Sequence, residues 1–223
     1  MTPQSPLFAD RTDAGRQLAA RVVAAGVSDA IVYALPRGGV PVGLEVARAL
    51  DAPLDLMLVR KIGAPGQPEV ALAAVVDGGV PQMIVNEAVQ RISGASPLYL
   101  AQEKALALGE IERRRHLYFG GRVRPDPAGR TVVVVDDGLA TGATARVAIQ
   151  QLRARRVGQV ILAVPVVPES RLEALRTEVD QLICLAHPVE FGSVGAFYAD
   201  FHQLSDDEVL DQLAVAARFA GGS

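Results

Sequence analysis

Asp136 and Asp137 stand side by side at the end of a valine run, Thr131 to Val135, and are followed by Gly-Leu-Ala-Thr-Gly-Ala-Thr up to Thr144. An ionised carboxylate only accepts hydrogen bonds, so two in succession suit a vicinal diol, which offers two O–H donors. The next residues suit a phosphate. Ala140, Thr141, Gly142, Ala143 and Thr144 are small or hydroxylic, Gly138 and Gly142 permit close backbone approach, and N–H groups at the start of a helix carry the positive end of its dipole. Diol and phosphate binders a few residues apart match the groups of a ribose 5-phosphate.

Three further stretches have chemical character. Pro36-Arg37-Gly38-Gly39-Val40-Pro41-Val42-Gly43 is a second turn between an apolar run and a helix, and offers another nest of backbone N–H groups beside Arg37. Read alone, its glycines serve tight strand–helix packing equally well. Arg60 and Lys61 leave the apolar run Leu54 to Val59 and suit a charged phosphate ester, or else a solvated strand end. His187 to Leu204 is the most aromatic stretch of a chain poor in aromatics, with Phe191, Phe197 and Tyr198 among its rings, which either stack on a planar ligand or cap the sheet.

The elements that must position these groups follow from periodicity. Four consecutive valines read as a parallel strand buried on both faces, which sets Asp136 and Asp137 at its carboxyl end, where ligands bind in open α/β sheets. The spacing of Ala14, Leu18, Val22 and Ala25 predicts a helix from Asp10 ending at Gly26. Ala30 to Leu35, Leu54 to Val59, Gln159 to Val164 and Leu182 to Leu185 read as strands. A helix burying Val42, Val46 and Ala49 follows the first of them, a helix over 141–156 turns Val147 and Leu152 inward, and another starts near Pro168. Residues 63–68 carry turn chemistry incompatible with regular structure. Val70 to Val76 and Met83 to Val85 predict a hairpin around Gly78-Gly79. Pro97 to Tyr118 reads as a helix with Leu98, Ala101, Ala105, Leu108 and Ile111 inward and Arg113-Arg114-Arg115 near its end, as a solvated run first and as a source of a phosphate-binding arginine second. Ser205 and Glu208 form a capping box for a last helix that buries Val209, Leu213 and Ala216. Alternating strands and helices give an α/β fold, a doubly wound and mostly parallel sheet.

The segment VVVVDDGLATGAT resembles the phosphoribosyl pyrophosphate (PRPP) motif of the type I phosphoribosyltransferases, and the similarity extends in order and spacing from Ile31 to Cys184. A receiver domain or a dehalogenase-type phosphatase also ends a strand in acids, but neither accounts for Ala140 to Thr144 entering a helix. The resemblance implies transfer of a 5-phosphoribosyl group from PRPP to a nucleobase-like acceptor with release of pyrophosphate. It implies Mg²⁺ held mainly through PRPP, with Asp136, Asp137 and Lys61 as the catalytic set. Pyrophosphate is expected against Arg37, Gly38 and Gly39, in a loop that often holds a non-proline cis peptide, with Lys61 meeting it and Arg60 in support. A flexible loop based on Lys61 to Glu69 would close over the site, and a hood would supply Phe191, Phe197 and Tyr198 to the acceptor. One domain is expected over 1–223, with core about 30–185, insertion about 62–124 and hood about 187–204, assembling as a homodimer. No acceptor signature of the adenine, hypoxanthine-guanine, uracil or orotate enzymes is visible. Two alternatives keep the site and change its use: a regulatory protein that binds PRPP or a nucleotide without turnover, and a nucleotide hydrolase with Glu69 or Asp137 as base.

Composition bounds these readings. Half of the 223 residues are apolar, enough for one substantial core, and a net charge of -3 gives no footprint for nucleic acid. The single Cys184 argues for a reducing compartment, and no apolar run reaches membrane-spanning length, so a cytoplasmic protein without a membrane partner is expected.

Overall fold

A computed structural model describes residues 6–77 and 82–219. The chain runs through α1 (Arg11–Ala24), β1 (Ala30–Ala34), α2 (Gly39–Leu50), β2 (Leu54–Leu56), β3 (Val59–Ala64), β4 (Gln67–Val76) and β5 (Gln82–Val85). It continues with α3 (Glu87–Ser93), α4 (Pro97–Phe119), β6 (Thr131–Val135), α5 (Ala143–Ala154), β7 (Gln159–Val166), α6 (Glu169–Arg176) and β8 (Gln181–Ala186), then a 3₁₀ turn (Val194–Phe197) and α7 (Asp206–Phe219). Among the described residues no helix is long and apolar enough to cross a membrane.

The central sheet is wholly parallel, in the order β2-β1-β6-β7-β8. Its strands are apolar throughout because both faces are covered. Val32, Val133, Val135 and Ala163 pack with residues of α1, α2 and α7, while Tyr33, Val132, Val134 and Leu162 pack with residues of α5. From β1 the chain moves outward through α2 to β2, and from β6 it moves the opposite way through α5 to β7. The loops after β1 and β6 therefore diverge, and a crevice opens at the carboxyl ends of these neighbouring strands.

A second, antiparallel sheet in the order β3-β4-β5 departs from expectation. The run Leu54 to Val59 is not one strand. Its first three residues complete the parallel sheet as β2, and the chain then crosses at Met57 and Leu58 to begin β3. Both pieces are apolar because both are buried, so hydropathy alone does not mark the change of sheet. Residues 63–68 are likewise a hairpin, with Pro65-Gly66 as the turn and register shifts at Ile62/Gly63 and Gly63/Ala64 absorbing the irregularity. The Tyr99 hydroxyl donates to the Gly63 carbonyl at 2.9 Å and ties this hairpin to α4. Gly78-Gly79 lies outside the described residues, but β4 and β5 on either side pair as the expected hairpin.

Helix α4 buries a stripe that shares Ile111 with the one its spacing suggests and otherwise differs. Leu100, Ala107, Ile111 and Tyr118 are inward, whereas Leu98 is 68% exposed and Ala101 and Ala105 face outward. Apolar residues lie on several sides of this helix, and its seat on β3 and β4, with Tyr118 reaching α7, decides which are covered. Ala49 is also exposed, in the last turn of α2, and so is Ala25, just past the end of α1. The remaining helices follow their pattern: Ala14, Leu18 and Val22 are buried in α1, and Val147 and Leu152 in α5. Glu208 N–H donates to Ser205 Oγ at 3.2 Å and Ser205 N–H to Glu208 Oε2 at 2.8 Å, closing the capping box ahead of buried Val209, Leu213 and Ala216. Cys184 is half-buried on β8, where burial pushes its thiol up to about 11.

Arg124 joins the two sheets. Its guanidinium donates to Asp55 on β2 at 2.9 Å, to Asp77 at the end of β4 at 2.7 Å and to the Leu56 carbonyl at 2.8 Å, over the face of Phe119. Asp55 and Asp77 are buried, and two buried carboxylates without a cation are strongly unfavourable. Arg124→Gln should lower unfolding free energy by about 3–5 kcal/mol in denaturant titrations. Exposed Arg122→Gln should change it by no more than about 0.5 kcal/mol.

Candidate functional site

The crevice is bounded by the loop after β1 and the loop after β6, and the two touch. A Cβ placed on Gly38 would lie 1.9 Å from Asp137 Oδ2, so only glycine lets the first loop meet the acid pair. The peptide between Pro36 and Arg37 is cis, at the position the resemblance implied. Gly39 opens α2 directly beyond it. On the other side Gly138 has φ of 155°, and a Cβ there would meet Val194 and Val166 at 2.6 and 2.8 Å. That glycine lets the chain turn sharply beneath the hood.

Asp136 and Asp137 have different surroundings. Asp137 Oδ2 accepts from Arg11 Nε at 2.8 Å, and Arg11 is itself buried, lies over the Phe201 ring and donates to the His202 carbonyl at 2.9 Å. Asp136 Oδ1 accepts the Asp137 N–H at 2.9 Å. Desolvation at the strand end pushes the Asp136 carboxyl well above its ordinary range, the Asp137 charge adds to this, and Lys61 works against it. Burial also raises Asp137, opposed by the bond from Arg11. Arg11 lies 126 residues from its acid, and no local pattern in the sequence marks the pairing.

Two chambers meet at Asp136. One, of about 320 Å³, is walled by Leu35, Pro36, Gly38, Val59, Arg60, Lys61, Arg114, Asp136 and Thr144. The other, of about 190 Å³, is walled by Lys61, Asp136, Val194 and the segment Gly138, Leu139, Ala140, Thr141, Gly142, Ala143 and Thr144. Lys61, Asp136 and Thr144 line both. The second is a cradle at a helix start: Gly142 caps α5 in a left-handed conformation, and the helix begins at Ala143. The first is lined by cations on β3 and α4, so Arg60 and Lys61 belong to a strand of the second sheet and not to a loop beyond the first.

Other candidates lie elsewhere. The Arg37 guanidinium is 3.8 Å from Asp206 of α7. Phe197 and Tyr198 are buried against Phe8, Ala14 and Val166, and the Tyr198 hydroxyl donates to the Asp137 carbonyl at 2.5 Å. Burial raises the Tyr198 hydroxyl, which keeps it protonated as a donor. Phe191 packs on Phe197 and remains partly exposed. Val194 lines the cradle without any expectation from sequence, and Arg114, from the arginine run near the end of α4, lines the cationic chamber instead of lying on a solvated face. Glycines flanking Val194 and the run of arginines around Arg114 were the available signals.

The model of the phosphoribosyl transferase domain family matches residues 8–198. The chain is 44% identical over 212 residues to the Mycobacterium tuberculosis H37Rv protein named "Putative phosphoribosyl transferase Rv0571c", covering 95% of this chain and 47% of the relative. The chain thus spans about half the length of the curated relatives it matches. The crystal structure of TT1426 from Thermus thermophilus superimposes with a TM-score of 0.79 at 38% identity, covering 96% of this chain and 99% of that one.

Gly38→Ala forces its methyl into Asp137, and should cost roughly 1–3 kcal/mol of stability as well as displacing the acid. A denaturant titration reads the first effect and anion binding the second. The pH dependence of Asp136 has a definite sign. A carboxyl raised in the folded state adds stability at low pH and loses it as the pH rises through the raised value. Asp136→Asn does not ionise, so it should melt above wild type at neutral pH, with the gap closing as the pH falls toward the ordinary carboxylate value of 3.8.

Proposed function

The chain belongs to the phosphoribosyl transferase family, and from that premise we propose that it binds PRPP and transfers the 5-phosphoribosyl group to a nitrogenous base with release of pyrophosphate. The observation that carries this reading is the junction of the two chambers at Asp136. A helix-start cradle suited to a 5-phosphate and a cationic chamber suited to a diphosphate share one acidic edge, where the ribose diol would sit.

In this reading Ala140 to Thr144 hold the 5-phosphate and Asp136, which lines both chambers, accepts from the ribose diol, with Asp137 beside it held by Arg11. Arg11 and the Tyr198 hydroxyl fix Asp137 and its backbone, so the acceptor geometry is set before the sugar arrives. The C1–oxygen bond breaks with its electron pair leaving on pyrophosphate, through an oxocarbenium-like sugar. An acceptor nitrogen supplies the pair for the new C1–N bond and sheds a proton. Lys61 and Arg60, with the backbone of residues 37 and 38, meet the departing charge, while the Gly39 N–H donates to the Leu35 carbonyl at 3.0 Å and anchors the turn. Among the described residues no group of three His, Cys, Asp or Glu side chains forms a metal cage, and Asp136 is the carboxylate facing the cleft. That donor set fits a Mg²⁺ carried chiefly by PRPP oxygens, where it would neutralise charge on the diphosphate.

The base would enter beneath the hood, between Val194 and the partly exposed Phe191. Hydrolysis is disfavoured: Asp137 is held by Arg11, and Glu69 sits exposed on β4, so neither is presented as a base for water. Exposed Ile92, Leu98 and Leu106 on the insertion helices support assembly into a homodimer, and the lone half-buried thiol agrees with a cytoplasmic setting.

Calorimetric titration with PRPP should show Mg²⁺-dependent binding that Asp136→Asn/Asp137→Asn weakens by about 100-fold or more. Addition of a panel of nucleobases should then release pyrophosphate. Binding without release for any base would favour a regulatory protein, and no binding would remove PRPP from the reading.

A further inference from the structure

The three consecutive arginines near the end of α4 point in three directions, because successive residues on a helix are about 100° apart. Arg113 pairs with Glu110 at 2.9 Å and with Asp206 of α7 at 3.3 Å. Arg115 lies 3.6 Å from the buried Asp77 at the end of β4. These outer two fasten the helix on either side, and the middle one, Arg114, is thereby turned into the cationic chamber beside Arg60 and Lys61. Its side chain is 18% exposed, and its Nε is held by Glu110 Oε1 at 2.8 Å. Arg113 foremost and Arg114 with it hold the Glu110 carboxyl down to about 2, so the ion pair persists at neutral pH.

We propose that Arg114 is a diphosphate ligand supplied by the insertion helix, and that it delivers to the cleft the guanidinium charge which Arg37, directed toward Asp206, does not. The inference rests on the PRPP reading above and assigns one further residue to it. An arginine fork matches two phosphate oxygens at once, whereas the ammonium of Lys61 acts as a point charge. Burial of the stem and the Glu110 bond fix the rotamer beforehand, so little side-chain entropy remains to be lost on binding. Together Arg60, Lys61 and Arg114 line one chamber, and with Glu110 offsetting part of the Arg114 charge they neutralise a diphosphate in part. The cradle at α5 is lined from a different segment, and Arg114 is not part of its wall.

This separation gives the test. Inorganic pyrophosphate, ribose 5-phosphate and PRPP, each with Mg²⁺, are titrated calorimetrically into wild type, Arg114→Gln and Arg122→Gln. Arg114→Gln should weaken pyrophosphate and PRPP by about 10- to 100-fold, the loss of one or two charge-assisted hydrogen bonds. It should leave ribose 5-phosphate within about twofold of wild type, which also reports that the variant is folded, and exposed Arg122→Gln should leave all three within the same margin. Pyrophosphate affinity retained by Arg114→Gln, with wild type binding normally, overturns the assignment alone. Equal weakening of ribose 5-phosphate also overturns it, since Arg114 would then act on the site as a whole. Wild type that binds none of the three ligands overturns the PRPP reading and this assignment with it.

Discussion

Two adjacent carboxylates at the end of a buried strand repel one another and lose water, and much of the surrounding structure compensates for that single arrangement. Arg11 arrives from α1 to bond one acid, Lys61 arrives from β3 to face the other, and the hood contributes a tyrosine hydroxyl to the backbone between acid pair and turn. Each comes from a different part of the chain. The loop after β1 must also come close enough to complete the crevice, which forbids any side chain at position 38. Electrostatic cost at the site is thus accepted in return for a preorganised edge, a trade common where a pocket is built for a charged or polyhydroxyl ligand.

What could be read in advance was local. The valine run, the acids and the small residues after them fix a strand, a turn and a helix start within fourteen residues, and each signal agrees with the others. The same holds for the turn after β1 and for the capping box of α7. Where the reading failed, the deciding contact was remote. Arg11 looked like an ordinary residue of an amphipathic helix until α1 was laid against the sheet edge. Apolar residues surround α4, and only its seat on β3 and β4 selects Leu100 and Ala107 over Leu98, Ala101 and Ala105, while Ile111 is buried as its spacing implies. Turn chemistry at 63–68 was recognised correctly as a turn but was too broad in extent, since a two-residue tip with register shifts needs less chain than an open loop.

The aromatic residues of the hood show a subtler limit. Their clustering in sequence signalled a shared role, yet sequence could not separate stacking on a ligand from stacking on one another. In the structure Phe8, Tyr198 and Phe201 form a chain of tilted rings that closes the end of the sheet and carries Arg11 on its far side. Aromatic mass here gives rigidity to a charged group instead of a flat surface to a base. Phe191, at the margin of that cluster, keeps the accessible ring.

The Arg124 bridge bears on how such a protein can change over time. One guanidinium bonds an acid on the parallel sheet and another on the antiparallel sheet, so the connector that carries it ties the electrostatics of the two sheets together. The segment from β3 to α4 therefore cannot be exchanged as a cassette between relatives unless Asp55, Asp77 and Arg124 travel together. Recombination within this architecture has a natural seam before β2 and after residue 124, outside the stretch that a simple comparison of loops and sheets would mark as the removable part.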